Sequence, residues 1–148
     1  MAYISHSIGS FFVVRWLKTE PGDLEKILRD VALVRAASKH PLTYVSLSDD
    51  KTPPPDEERR KELIQRLESF LKHCESFYVI LESRGFRGSV LRAVIGGMML
   101  IHPSSRNVMV RGSIREAFAE NRHRLPMPEA ELIQVLKSKD VLPPDWAG

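Results

Sequence analysis

Five consecutive apolar residues, Phe77-Tyr78-Val79-Ile80-Leu81, constrain this chain more than any other stretch. Side chains of a strand alternate between two faces, so a strand of this composition has no polar face to offer water. Both faces need cover, as in parallel or mixed sheets flanked by helices. After Arg84-Gly85-Phe86-Arg87-Gly88-Ser89 the chain turns almost wholly apolar from Val90 to Ile101, with Arg92 its one charge. The pattern predicts a strand, loop and helix at the centre of an α/β sheet.

The flanking sequence supplies the rest of that sheet. Ala2 to His6 and Ser10 to Leu17 read as two strands of an antiparallel hairpin joined around Ile8-Gly9. Leu24, Ile27, Leu28, Val31, Leu33 and Val34 recur at helical spacing and predict a helix covering one sheet face, ending near His40-Pro41. Leu42 to Leu47 is the next strand. It is followed by Ser48-Asp49-Asp50-Lys51-Thr52-Pro53-Pro54-Pro55, where three consecutive prolines supply no backbone donors.

From about Asp56 a second helix places Leu63, Ile64, Leu67, Phe70 and Leu71 on one stripe. Glu57, Glu58, Arg59, Arg60, Lys61, Glu62 and Arg66 fall on the other, and Cys74 lies at the helix end. Beyond the central pair, a turn at His102 to Asn107 leads to a short strand, Val108 to Val110. Ser113 then caps a helix with Glu116 at capping-box spacing, and Ile114, Ala117 and Phe118 form its apolar face. Leu125-Pro126-Met127-Pro128 breaks that helix. A last one, from about Pro128, carries Leu132, Ile133, Val135 and Leu136.

The expected fold is therefore α/β, a mixed β-sheet flanked by helices in the order ββαβαβαβα plus a C-terminal helix. The chain divides into a main domain over residues 1–125 and a helical extension over 126–148 packed on it. A length of 148 residues suffices for one such core without disulfides.

Composition narrows the class. With 43% apolar and 28% charged residues the chain reads as globular. No apolar run is long enough to span a bilayer, and Ser5, His6, Ser7 and Ser10 do not resemble the apolar core of a leader, so a cytoplasmic protein is expected. Cys74 is the sole cysteine, which excludes an internal disulfide and a cysteine-based zinc cluster. The net charge of +3 is unevenly placed: Glu82 to Arg124 holds eight arginines, no lysine and three acidic residues. Such a bias suits an anion-facing surface or a merely solvated one.

Catalytic and metal chemistry find little support in the residue spacing. Cys74 and its neighbour His73 point about 100° apart on a helix and do not form a nucleophile–base pair. His6, His40, His73, His102 and His123 show no ligand spacing, and Asp49, Asp50 and Asp56 lack the glycine and glutamate of a calcium loop. No metal, cofactor or catalytic residue is expected.

The loop carrying Arg84, Arg87 and Ser89, with Arg92 beyond it, suits either tight-turn geometry or the binding of a small anion. It is neither a phosphate-binding Gly-Lys-Ser/Thr loop nor a dinucleotide fingerprint. The apolar helix lacks a polar face, so its second face is covered either by the C-terminal helix or by another subunit. In the latter case Val94, Ile95, Met98 and Met99 form a partner-binding or homodimer surface. A near-balanced charge without a recognised binding motif makes nucleic acid an unlikely partner.

The element order, together with the ending Asn107-Val108-Met109-Val110-Arg111-Gly112-Ser113-Ile114-Arg115-Glu116-Ala117-Phe118, resembles the STAS domain of anti-anti-sigma factors and sulfate-transporter tails. In that family a last strand is followed by a polar cap, an acidic residue, alanine and an apolar residue. Ser113, Glu116, Ala117 and Phe118 stand in that pattern. The resemblance spans roughly Ala2 to His123. It implies a non-enzymatic regulatory protein-interaction module, as in bacterial signalling. Phosphorylation-controlled members carry an Asp-Ser-x-Gly-like signal after the third strand. Here that stretch runs from Ser48 to Asp56 without a glycine, and Ser48 and Thr52 are its only hydroxyls. The alternative expectation is an enzyme or sensor that binds a phosphorylated small molecule at the Arg84–Arg92 loop.

Overall fold

The computed structural model describes residues 2–82, 92–93, 96–97 and 107–148. Its centre is a five-stranded sheet: β1 (Tyr3–Ile8), β2 (Phe11–Trp16), β3 (Leu42–Ser48), β4 (Cys74–Leu81) and β5 (Val108–Arg111) lie side by side in chain order. β1 runs antiparallel to β2, and β2 to β5 are mutually parallel. Among the described residues, four α-helices with complete bounds flank the sheet: α1 (Asp23–Ala37), α2 (Glu57–His73), α3 (Ile114–Glu120) and α4 (Glu129–Ser138). The expected mixed α/β sheet is observed. Arg92, Ala93, Gly96 and Gly97 are helical, inside the segment assigned from sequence to the apolar helix.

Alternation explains the two cores. Phe12, Val14 and Trp16 of β2, Leu42 and Tyr44 of β3, and Phe77, Val79 and Leu81 of β4 share one face, packed under Ile27 and Val31 of α1 and Leu67 and Phe70 of α2. Phe11, Val13, Val45, Leu47, Tyr78 and Ile80 point the other way. They meet Ile114, Ala117 and Phe118 of α3 and Leu132, Ile133 and Leu136 of α4. The strand order advances steadily from β2 to β4, so right-handed crossovers place α1 and α2 on the same face. The opposite face is left for the elements that follow β5.

Four aromatic rings knit the first core. Tyr44 stacks on Phe77 with centroids 4.5 Å apart, and Phe70 meets Phe77 edge-on at 5.7 Å. Phe12 stacks on Tyr44 from the neighbouring strand. Such offset and edge contacts add to the burial of the rings themselves.

Local signals hold the ends of the elements. Gly9 takes a φ of +57° in the hairpin turn, where Pro126 packs against it. Asp56 caps α2 by accepting from the Arg59 amide at 2.8 Å, and the Ser113–Glu116 capping box is formed.

Four expectations need correction. β4 begins at Cys74, which is also the C-cap of α2 as expected, rather than at Phe77, because parallel pairing with β3 already begins at Leu42 opposite Cys74. Leu33 does not face the core: it is 70% exposed, since Ile27 and Val31 set the buried stripe of α1 and Leu33 lies about 200° round from Val31. Pro128 stands just before α4, its carbonyl accepting from Leu132, rather than inside the helix. Arg59, assigned to the polar face of α2, is turned inward, with its side chain only 13% exposed.

Phe77 sits between Tyr44 and Phe70, so Phe77→Ala should destabilise the fold by about 3–5 kcal/mol through the cavity it leaves. Leu33→Ala should stay within about 0.5 kcal/mol of the parent. Urea unfolding of the two variants checks both.

Candidate functional site

Parallel strands end together, and the helices that follow them begin at the same end. The carboxyl ends of β2, β3 and β4 therefore meet the N-terminal turns of α1 and α2, the place where open α/β sheets gather ligands. A cavity of about 80 Å³ lies there, on the face covered by α1 and α2. Trp16, Tyr44, Phe77, Val79 and Leu81 line it from the sheet, Leu24 and Leu63 from the helices, and Pro53 and Pro55 from the loop between β3 and α2. About 10–15 Å³ accommodates one water, and about 150 Å³ accommodates benzene. The space, open on one side, thus suits a small aliphatic group, with larger parts of any ligand left at the mouth.

The loop residues 49–55 roof this cavity and are fastened to the sheet. Thr52 is 5% exposed, and its hydroxyl donates to the Trp16 carbonyl at 3.0 Å. The same oxygen accepts from the Asp49 amide at 3.1 Å, while the Asp49 carboxylate accepts from the Lys51 amide at 2.8 Å. Beneath the roof the Trp16 indole donates to the Ser46 hydroxyl at 2.9 Å. Of the two hydroxyls noted in this loop from sequence, Thr52 is thus a structural tie. Ser48 is half-buried and lines the cavity.

Two charged side chains enter this mainly apolar lining. Asp23, the first residue of α1, is 5% exposed and accepts from the Glu20 amide at 2.9 Å. No cation stands within ion-pair distance of it among the described residues. Arg59 reaches Glu62 through Nη2 at 3.1 Å. Its Nε is buried without a hydrogen-bond partner, the Asp56 carboxylate being 4.0 Å away. A buried donor left unmade typically costs about 1–3 kcal/mol.

The other sheet face ends in a second cleft of about 120 Å³, between Arg15, Leu47, Asp49 and Glu82 and the C-terminal residues Val141, Leu142, Pro143 and Trp146. Here the Glu82 carboxylate accepts from the Trp146 indole at 2.6 Å, while its Oε1 is buried without a partner. Burial raises the Glu82 pKa above the ordinary carboxylate value. The Trp146 and Ile114 N–H groups oppose that shift, and Asp49 adds to it. The Arg115 guanidinium lies 5.0 Å over the Trp146 ring, so Trp146 pins the C-terminal segment at both its edge and its face.

Of the residues singled out from sequence, Arg84, Arg87 and Ser89 of the anion loop and Val94, Ile95, Met98 and Met99 of the association helix lie outside the described residues. Arg92 is described: its Nη2 donates to the Leu81 carbonyl at 3.2 Å, beside the carboxyl end of β4. Among the described residues nothing stands within 4 Å of where a Cβ of Gly96 or Gly97 would be. Burial pushes the Cys74 thiol up to about 12, far from the range of a nucleophile. No cluster of three metal-ligating side chains occurs among the described residues, and none of their helices is long and apolar enough to cross a membrane. No protein-family model, curated protein or solved structure matches the chain.

Asp23 and Arg59 escape sequence reasoning because each reads as an ordinary residue of a helix N-terminus. Their one available signal is position: both fall in first turns directed at the carboxyl ends of parallel strands.

The Glu82 shift has a definite sign. Between the ordinary value of 4.5 and the raised folded value, the folded state keeps a proton that the unfolded chain has released. Stability therefore falls as pH rises through that window. Glu82→Gln keeps an acceptor for Trp146 and should flatten the fall, as measured by urea midpoints across pH 4 to 7.

Proposed function

We propose that the chain is a non-enzymatic, STAS-like regulatory binding module in which the loop after β3 responds to what occupies the cavity beneath it. The carrying observation is the Thr52 hydroxyl tied to the Trp16 carbonyl. Where the STAS resemblance leads to a phosphoacceptor, this chain has a buried fastening over a small cavity. The mixed sheet and the order of its elements accord with that resemblance. Loop residues Asp49 to Lys51 and Pro53 to Pro55 present the surface a partner protein would meet, and filling the cavity stiffens that surface from below.

Two substitutions test the coupling without knowledge of a ligand. Thr52→Val strands the Trp16 carbonyl and should cost about 1–3 kcal/mol. Leu63→Phe adds bulk to the cavity wall and should slow hydrogen exchange of the Asp49 to Thr52 amides by roughly tenfold. Unchanged exchange in a folded Leu63→Phe protein would remove the coupling, and an unchanged melting temperature for Thr52→Val would remove the fastening.

The module is further proposed to self-associate through Val94, Ile95, Met98 and Met99. Among the described residues no atom lies within 4 Å beside Gly96 and Gly97, which is compatible with a face open to a partner. Light scattering over a concentration series should show a dimer that Met98→Glu dissociates; identical masses for the two proteins contradict it.

A second reading places a phosphorylated small ligand at Arg84, Arg87, Ser89 and Arg92. The position of Arg92 beside the end of β4 favours it. Stabilisation by inorganic phosphate that disappears in Arg92→Ala would support this reading, and an equal response in both proteins would eliminate it.

A further inference from the structure

The cavity at the carboxyl ends of β2 to β4 carries more chemistry than an apolar hole needs. Its body is apolar, from Trp16, Leu24, Tyr44, Phe77, Val79 and Leu81, yet it is bordered by one carboxylate and one guanidinium from the first turns of two different helices. Arg59 pairs with Glu62 and approaches Asp56 but leaves one donor, its buried Nε–H, unused. Asp23 is almost wholly buried, holds a single backbone N–H and has no counter-ion at contact distance among the described residues.

Satisfying both groups at once sets narrow terms for a ligand. A simple carboxylate would meet Arg59 but bring a second negative charge to a site that already holds Asp23. A simple amine would meet Asp23 and leave the Arg59 N–H orphaned. A molecule carrying both an ammonium and a carboxylate answers each, through charge-assisted hydrogen bonds. The volume of about 80 Å³, open at its mouth, then favours a compact remainder of the molecule. It is roughly half of what benzene occupies in a closed protein cavity, so a branched aliphatic group fills it more completely than an aromatic ring, which would protrude into the mouth.

We infer that this cavity is a binding site for a small aliphatic amino acid, its side chain on the sheet, its carboxylate toward Arg59 and its ammonium toward Asp23. This rests on the cavity-responsive module proposed above and names the ligand class that would act on its loop. The Thr52 tie makes the consequence local: a ligand seated against Trp16 and Pro53 bears on a hydrogen bond that holds the roof to the sheet.

The test uses the full chain and three probes: L-leucine, isoamylamine, which lacks the carboxylate, and isocaproate, which lacks the ammonium. Isothermal titration of the unmodified protein should show saturable leucine binding, with each analogue weaker by at least about tenfold. L-phenylalanine should bind more weakly than leucine. In Trp146→Phe protein, where Trp16 is the sole indole, leucine should shift the emission. Arg59→Gln should reduce leucine to the level of isoamylamine, and Asp23→Asn to that of isocaproate.

Absence of saturable leucine binding to the unmodified protein overturns the inference, as does equal binding of all three probes or binding that leaves Trp16 emission unchanged. The binding outcomes need no variant and the emission outcome needs only Trp146→Phe, so they decide even where Asp23→Asn or Arg59→Gln fails to fold. If leucine fails while Leu63→Phe still slows exchange in the loop, the ligand assignment is wrong and the module stands. If both fail, the module falls as well.

Discussion

Burial of β2, β3 and β4 on both faces is the constraint on which the rest of the structure depends. Once Phe11 and Phe12, Tyr44 and Val45, and Tyr78 and Val79 point alternately to opposite sides, neither side can remain open to water. Crossovers of one hand assign α1 and α2 to the first face, and the elements after β5 cover the second. Helix bodies cover the faces of a sheet, not its ends. The strand ends are where backbone and side-chain polar groups must find other partners, and both clefts lie at the carboxyl end for that reason.

The two clefts answer that need differently. On the α1 and α2 face, the loop between β3 and α2 folds over the gap and is tied down through Thr52, leaving an apolar space with two charged groups at its border. On the other face, the C-terminal segment reaches back to place Trp146 between Glu82 and Arg115. Ser48 lines both clefts, at the last position of β3. The tie between the Glu82 amide and the Ser48 carbonyl, at 2.9 Å, links the ends of β3 and β4 just where the two clefts adjoin. A change in loop 49–55 and a change in the C-terminal segment thus act on one short stretch of backbone.

Much of the architecture was legible because it depends on periodicity. The doubly apolar run Phe77–Leu81, the helical stripes of α1 and α2 apart from Leu33, the hairpin glycine and the Ser113–Glu116 capping box all follow from local pattern and are observed. The early start of β4 was not legible, because it follows from pairing with Leu42 across the sheet. The candidate site was almost illegible for the same reason. Its lining comes from β2, β3, β4, α1, α2 and a loop, and in each segment the contributing residue looks ordinary. Trp16 reads as a strand residue, Asp23 as a helix starter and Arg59 as part of a solvated stripe. Thr52 reads as an accessible hydroxyl, and only the fold shows that its oxygen is used.

Arg59 shows why such a residue escapes a binary pattern. It sits three positions after its cap Asp56 and four before Leu63, so the stripe that carries Leu63, Leu67 and Phe70 to the core begins at Arg59 itself. A guanidinium at the first turn of a core-facing stripe meets the sheet where the sheet ends, with its stem over apolar side chains and its head at the rim. An apolar residue there would close the gap more cheaply, since no buried Nε–H would then go unpaired. Asp23 begins α1 at the corresponding point, below the same rim. A buried carboxylate without a counter-ion at contact distance and a half-buried guanidinium with one donor unused, each leading a helix at the same rim, are costly as packing and make physical sense as recognition.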